Sequence, residues 1–133
     1  MSIIGLANKG ISTETDPEVL EADTECEIRI TDVGVDTDKN SHAYFLPRFE
    51  PTEHPDAKDF TKFFHIPDDW MDAKRMKSSK NAIRKFAEAF GFDPDEDLDT
   101  DNLIGLTGWA ILGVEEDAQY GDKNYVKRFV AGN

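Results

Sequence analysis

Cationic side chains are in short supply: 15 lysines and arginines stand against 28 aspartates and glutamates, for a formal net charge of −13. A surface of that sign opposes phosphate backbones as a whole, so any polyanion has to meet a local basic patch inside an acidic envelope. Cysteine is scarcer still. Cys26 stands alone, which excludes an internal disulfide, and its place in an alternating apolar run predicts a plain buried thiol. No apolar run approaches the ~20 residues of a membrane span. The opening MSIIGLANKG lacks a basic segment followed by a long apolar one, so no secretory leader is expected and a cytoplasmic location follows. P-loop, dinucleotide glycine fingerprint, HExxH and CxxC are all missing.

What is present is a core. Nine Phe, three Tyr and two Trp within 133 residues argue for one folded domain. Residues 1–23 are poorly patterned and read as a loosely ordered lead-in, and residues 24–133 as the single domain. Cys26, Ile28 and Ile30 alternate with Glu25, Glu27, Arg29 and Thr31, a period of two that predicts a half-buried strand. Turn chemistry in DTDKNS leads to a second strand, HAYFLPRF, where Pro47 implies an edge or a bend. FTKFFHI, residues 60–66, is a third. Asp68 or Asp69 is placed to cap a short helix through Trp70 and Met71. A clearer helix starts at Ser78 or Ser79, carries Ala82, Ile83, Phe86, Ala89 and Phe90 on one face, and ends at Gly91. LIGLTGWAILGVEE predicts a curved, buried fourth strand, and NYVKRFV a fifth, with Val126, Arg128 and Val130 on one face.

The resulting fold class is mainly β with one main α-helix. Three strands, a helix and two strands match a five-stranded OB-like Greek-key barrel with the helix between strands 3 and 4. A β-sandwich fragment or an α+β sheet with one covering helix fits the same string.

Two constellations lead nowhere. DPDEDLDTD, residues 93–101, has carboxylates at three alternate positions of a calcium loop, but Leu98 occupies the place of the required glycine and Ile104 that of the bidentate glutamate. It reads as a solvated connector, and no metal site is assigned. His42, His54 and His65 are scattered outside any nucleophile motif, so neither catalytic residues nor cofactors are expected, and the chain reads as a non-enzyme.

The strands carry the stronger signal. If Phe45, Phe49, Phe60, Phe64 and Ile66 point inward, then Tyr44, Arg48, Phe63 and His65 point out and Lys62 is left inward or at the rim. With Arg29, Tyr125 and Lys127 the outward set mixes rings and cations, the combination on which bases stack and phosphates are tracked. Residues 73–87 hold Lys74, Arg75, Lys77, Lys80, Arg84 and Lys85 and no acid, and Lys77, Lys80 and Arg84 form a candidate secondary phosphate ridge. The last eleven residues likewise carry cations only.

ECEIRITDV, the lysine-bearing KNAIRKFAEAFGF with its acidic turn, and NLIGLTGWAILGVEEDAQYGDKNYVKRF together resemble small bacteriophage single-stranded-DNA-binding proteins of the OB type. The resemblance spans residues 20–130 loosely. It implies non-catalytic binding of single-stranded DNA, with RNA as a second ligand, during phage replication or recombination in the host cytoplasm. Lys39 in the first loop, and Tyr120 and Lys123 in the fourth, are then placed to close over the strand. A homo-oligomer and contacts with replication proteins are compatible with this reading. One departure is that the chain ends KRFVAGN, without an acidic recruiting tail. The rival reading is an acidic interaction protein, or a DNA mimic that inhibits a nucleic-acid-binding enzyme, which the net charge favours.

Overall fold

A computed structural model describes residues 1–131; Gly132 and Asn133, the end of the expected domain, lie outside the described residues. Six strands form one antiparallel sheet: β1 (Glu25–Thr37), β2 (Ala43–Pro51), β3 (Phe60–Thr61), β4 (Phe64–His65), β5 (Thr107–Glu115) and β6 (Lys123–Val130). The order is β3-β2-β1-β5-β6, with β4 also paired to β2. One α-helix, α1 (Ala73–Phe90), lies between β4 and β5. The protein is thus mainly β with one helix, as expected. The sheet is open, however: β3 comes alongside β6 without a hydrogen-bond ladder.

Pro47 explains why the expected third strand is two. Its carbonyl accepts from the Lys62 amide at 3.2 Å. Within a strand a residue's N–H and C=O point to the same side, so the N–H that proline lacks is the one that would have faced this partner. β2 therefore pairs with β3 through Arg48 and Phe49, and with β4 through Tyr44 and Phe45, and the ladder lapses between them at Lys62 and Phe63. The helix consequently follows a fourth strand instead of a third. Ile66, expected inside, falls beyond the end of β4 and is exposed.

The alternation predicted for β1 holds: Cys26, Ile28 and Ile30 are buried. Burial raises the Cys26 thiol pKa, with Glu53 adding to the effect. Asn124 tethers the lead-in: its amide bonds the backbone N–H and C=O of Leu20 at 2.9 Å each. The chain is also tied at Glu18, bonded to Asp56 and Lys58, so it joins the fold before Glu25.

The helix starts earlier than the serines suggest. Asp72 is the N-cap, accepting from the Arg75 amide at 2.7 Å, and no separate helix forms at Trp70. Gly91 ends it in the left-handed conformation. Its close approach to β5 requires Gly108, where an added Cβ would lie 2.8 Å from the Ala89 carbonyl. The helix thereby sets Phe86 at the centre of the core. Phe64 and Phe90 lie 5.0 Å away, Phe92 5.2 Å and Phe129 5.4 Å, with Phe49 and Phe45 just beyond.

Strict alternation in NYVKRFV puts Phe129 on the outward face with Tyr125 and Lys127. A bulge turns it in: Ile111 pairs with Arg128 and Leu112 with Val126, leaving Lys127 unmatched. Beyond it the parity reverses, so Phe129 packs opposite Ala110 and Val130 lies opposite Trp109 on the other face.

Phe86→Ala should cost about 3–5 kcal/mol in urea unfolding, whereas Phe63→Ala, which removes a half-exposed ring, should cost about 1 kcal/mol or less. Equal losses would show that Phe86 is not the centre of the core.

Candidate nucleic-acid interface

Where the sheet is left open, α1 and β6 enclose a cleft of about 490 Å³. Lys62, Lys74, Lys77, Lys85, Lys127 and Arg128 line it, with Ser78 and Asn81 on the helix and Phe129 on the strand. No carboxylate lines it among the described residues. The helical positions recur every three or four residues, as one face of a helix of about 3.6 residues per turn requires. The strand supplies neighbouring Lys127 and Arg128 because the bulge breaks their alternation.

Only Lys127 among these six forms an ion pair with the described residues, to Asp23 at 2.7 Å. That bond holds the Asp23 carboxyl below its ordinary range and raises the Lys127 ammonium. Lys62 differs in kind. It sits half-buried, its ammonium 5.4 Å from the Phe64 ring centroid, and burial lowers its pKa from the ordinary 10.5. A half-buried cation with no counter-charge among the described residues favours a bound anion.

The cleft continues past Lys62 into a second depression of about 570 Å³ between Phe63 and Tyr125. Its wall includes Glu115, which lies 3.9 Å from Lys123. Tyr125 pairs with Gly113, and its ring fills the space where a Cβ on Gly113 would stand. From Phe63 a row of rings runs across the outer face. Tyr44 lies 4.6 Å from Phe63 and His65 4.7 Å, and His42 stacks on Trp70 at 3.7 Å. Arg75 covers Trp70 at 5.1 Å.

The predicted residues therefore divide. Phe63, Tyr125, Lys127 and Lys77 share the groove, and Tyr44 adjoins it through Phe63. The others do not line it. Arg29 pairs with Glu50 at 3.0 Å and Arg48 is exposed on β2. Lys39 projects from the β1–β2 turn. Tyr120 is exposed on the β5–β6 loop, which Lys58 ties down through the Tyr120 and Asp122 carbonyls. The expected ridge splits: Lys80 and Arg84 border the acidic connector beside Asp95, and Arg84 pairs with Glu88 at 2.9 Å. Sequence reasoning assigned no role to Lys62, Lys74, Lys85 or Arg128, although the acid-free runs contain the last three.

It also missed a meeting of the scattered histidines. Asp38, in the β1–β2 turn, approaches both His42 and His65, with the three potential ligand atoms within 4.8 Å of one another. The Asp38 carboxyl is held down to about 2, chiefly by the His65 hydrogen bond and then by the His42 backbone amide. Among the described residues no helix is long and apolar enough to cross a membrane. No protein-family model matches the chain, and no curated protein matches it in sequence.

Proposed function

We propose that this is a non-catalytic single-stranded-DNA-binding protein of phage replication or recombination, built on an OB-like barrel. The observation that carries the reading is the cleft that holds no acid and five unpaired cations among the described residues, opening onto Phe63 and Tyr125, in a chain of net charge −13. The strand order supports the fold assignment. With β3 and β4 counted as one interrupted strand, it is the order of an OB barrel left open between its third and fifth strands. Lys62, Lys74, Lys77, Lys85 and Arg128 hold phosphates, while bases stack on Phe63 and Tyr125. The stacking surface lies at the seam where the β3–β4 edge comes alongside β6.

The test is fluorescence anisotropy of a labelled, unstructured oligonucleotide titrated at low salt. Lys85→Ala should reduce the slope of log affinity against log salt by about 0.7, the single-strand value for one phosphate contact. Tyr125→Ala and Phe63→Ala should each weaken binding by about 1–3 kcal/mol with the slope retained. Gly113→Ala should act like Tyr125→Ala, since its methyl displaces that ring. No binding at about 50 mM salt, where phosphate contacts are strong, would favour the acidic interaction protein or DNA mimic.

Asp23→Asn provides an independent check. It frees Lys127, so oligonucleotide affinity should rise. The same lock should open in acid: the bridge is intact above the ordinary carboxylate pKa of 3.8 and is lost as pH falls through the lower folded value. Unchanged affinity in Asp23→Asn would remove Lys127 from the site.

A further inference from the structure

We propose that Asp38, His42 and His65 bind a divalent first-row transition metal, with zinc the best match, clamping the β1–β2 turn onto β4. This site is separate from the cleft and holds whether or not the cleft takes DNA. Its geometry begins in the turn. Asp38 Oδ1 accepts from the backbone amides of Asn40 at 2.9 Å and His42 at 3.0 Å, which fixes the carboxylate and leaves Oδ2 facing the rings. His42 lies just before β2. His65, on β4, pairs opposite Tyr44, so the two imidazoles are diagonal neighbours on one face of the sheet.

Oδ2 is 3.0 Å from His65 Nε2 and 3.9 Å from His42 Nδ1. One oxygen thus faces two ring nitrogens, and only the nearer is within hydrogen-bond distance. A cation is able to satisfy all three. Bonds of about 2.0–2.2 Å around tetrahedral zinc put ligand atoms roughly 3.3 Å apart. The observed separations straddle that figure, and small ring rotations complete the set. All three residues are half-buried, so a remaining position is open to water.

Two imidazoles and one carboxylate, without a thiolate, suit zinc, cobalt, nickel or copper; calcium and magnesium prefer all-oxygen sites. Trp70 forms the wall. It is stacked flat on His42 and edge-on to His65 at 5.1 Å, and its indole nitrogen is buried without a hydrogen-bond partner among the described residues. Ring contacts therefore hold it beside the ligands, where it also reports on them.

The experiment uses the full chain carrying Trp109→Phe, so that emission comes from Trp70 alone. After chelator treatment, Co²⁺ is titrated in excess Mg²⁺, which occupies the exposed carboxylates. One equivalent of Co²⁺ should quench Trp70 and develop a visible d–d absorption band, and Zn²⁺ should reverse both. His65→Ala should weaken Co²⁺ binding by at least about tenfold, while His54→Ala, in the β2–β3 loop, should leave it unchanged. If far-UV circular dichroism shows that His65→Ala does not fold, Asp38→Asn replaces it with the same expectation. Absence of quenching in the parent, or equal affinity in the folded ligand variant and His54→Ala, overturns the proposal.

Discussion

A proline inside a strand leaves one side of that strand unable to complete its ladder, and Pro47 does this where it matters. On its β1 side Pro47 keeps its partner Val33, because no donor was needed there, and the one register shift of that ladder falls between Ile30 and Asp32. On the other side the lapse detaches Lys62 and Phe63 from regular pairing, which turns a lysine toward a half-buried position and a phenylalanine outward. A residue able to donate at position 47 would favour one continuous edge strand against β2. The interrupted edge and the half-buried position of Lys62 thus share one origin in backbone chemistry.

An unclosed sheet must still be held together, and here side chains replace hydrogen bonds. Phe64 of β4 and Phe129 of β6 face each other across the seam at 6.5 Å, with Phe86 of α1 close to both. Such contacts are apolar and non-directional, so they tolerate a separation that a ladder cannot. The carboxylates meanwhile are engaged elsewhere. Asp32, Asp36, Asp38, Asp68, Asp72, Asp93, Asp99 and Asp117 each accept from a backbone amide at a turn, strand or cap, and Glu50 and Glu88 pair with arginines. An acidic chain can keep an acid-free cleft because many of its acids organise local backbone on other surfaces.

These arrangements were legible in the sequence to different depths. Period-two patterning in residues 25–31 and 44–49 identified the buried face, because the register shift between these strands falls only after Ile30, past the last buried residue of the first run. It failed after Lys127, the unmatched residue that reverses every later side chain; a bulge leaves no mark in composition. The helix was visible from its apolar face and Gly91, but its start was placed late because Asp72 and the serines are all competent caps, and tertiary packing chooses among them. The cations were visible as acid-free runs, yet which of them meet depends on helix phase: Lys77 turns to the cleft and Lys80 to the connector. The Asp38–His42–His65 cluster was invisible, since nothing local in His65 announces its strand register against β2.

The acidic surroundings shape what the cleft is suited to accept. A duplex is stiff over about 150 base pairs and carries a charge every 1.7 Å or so along its axis. Seating part of it on the cations forces its remaining phosphates along neighbouring acidic surface. A single strand is flexible enough, on the proposed reading, to enter the groove and leave it within about one Debye length, roughly 10 Å at 0.1 M salt. Its unpaired bases are also free to meet Phe63 and Tyr125, which a stacked duplex withholds. The negative charge that, taken as a whole, opposes nucleic-acid binding therefore acts, on this reading, as the selector between flexible and rigid polyanions.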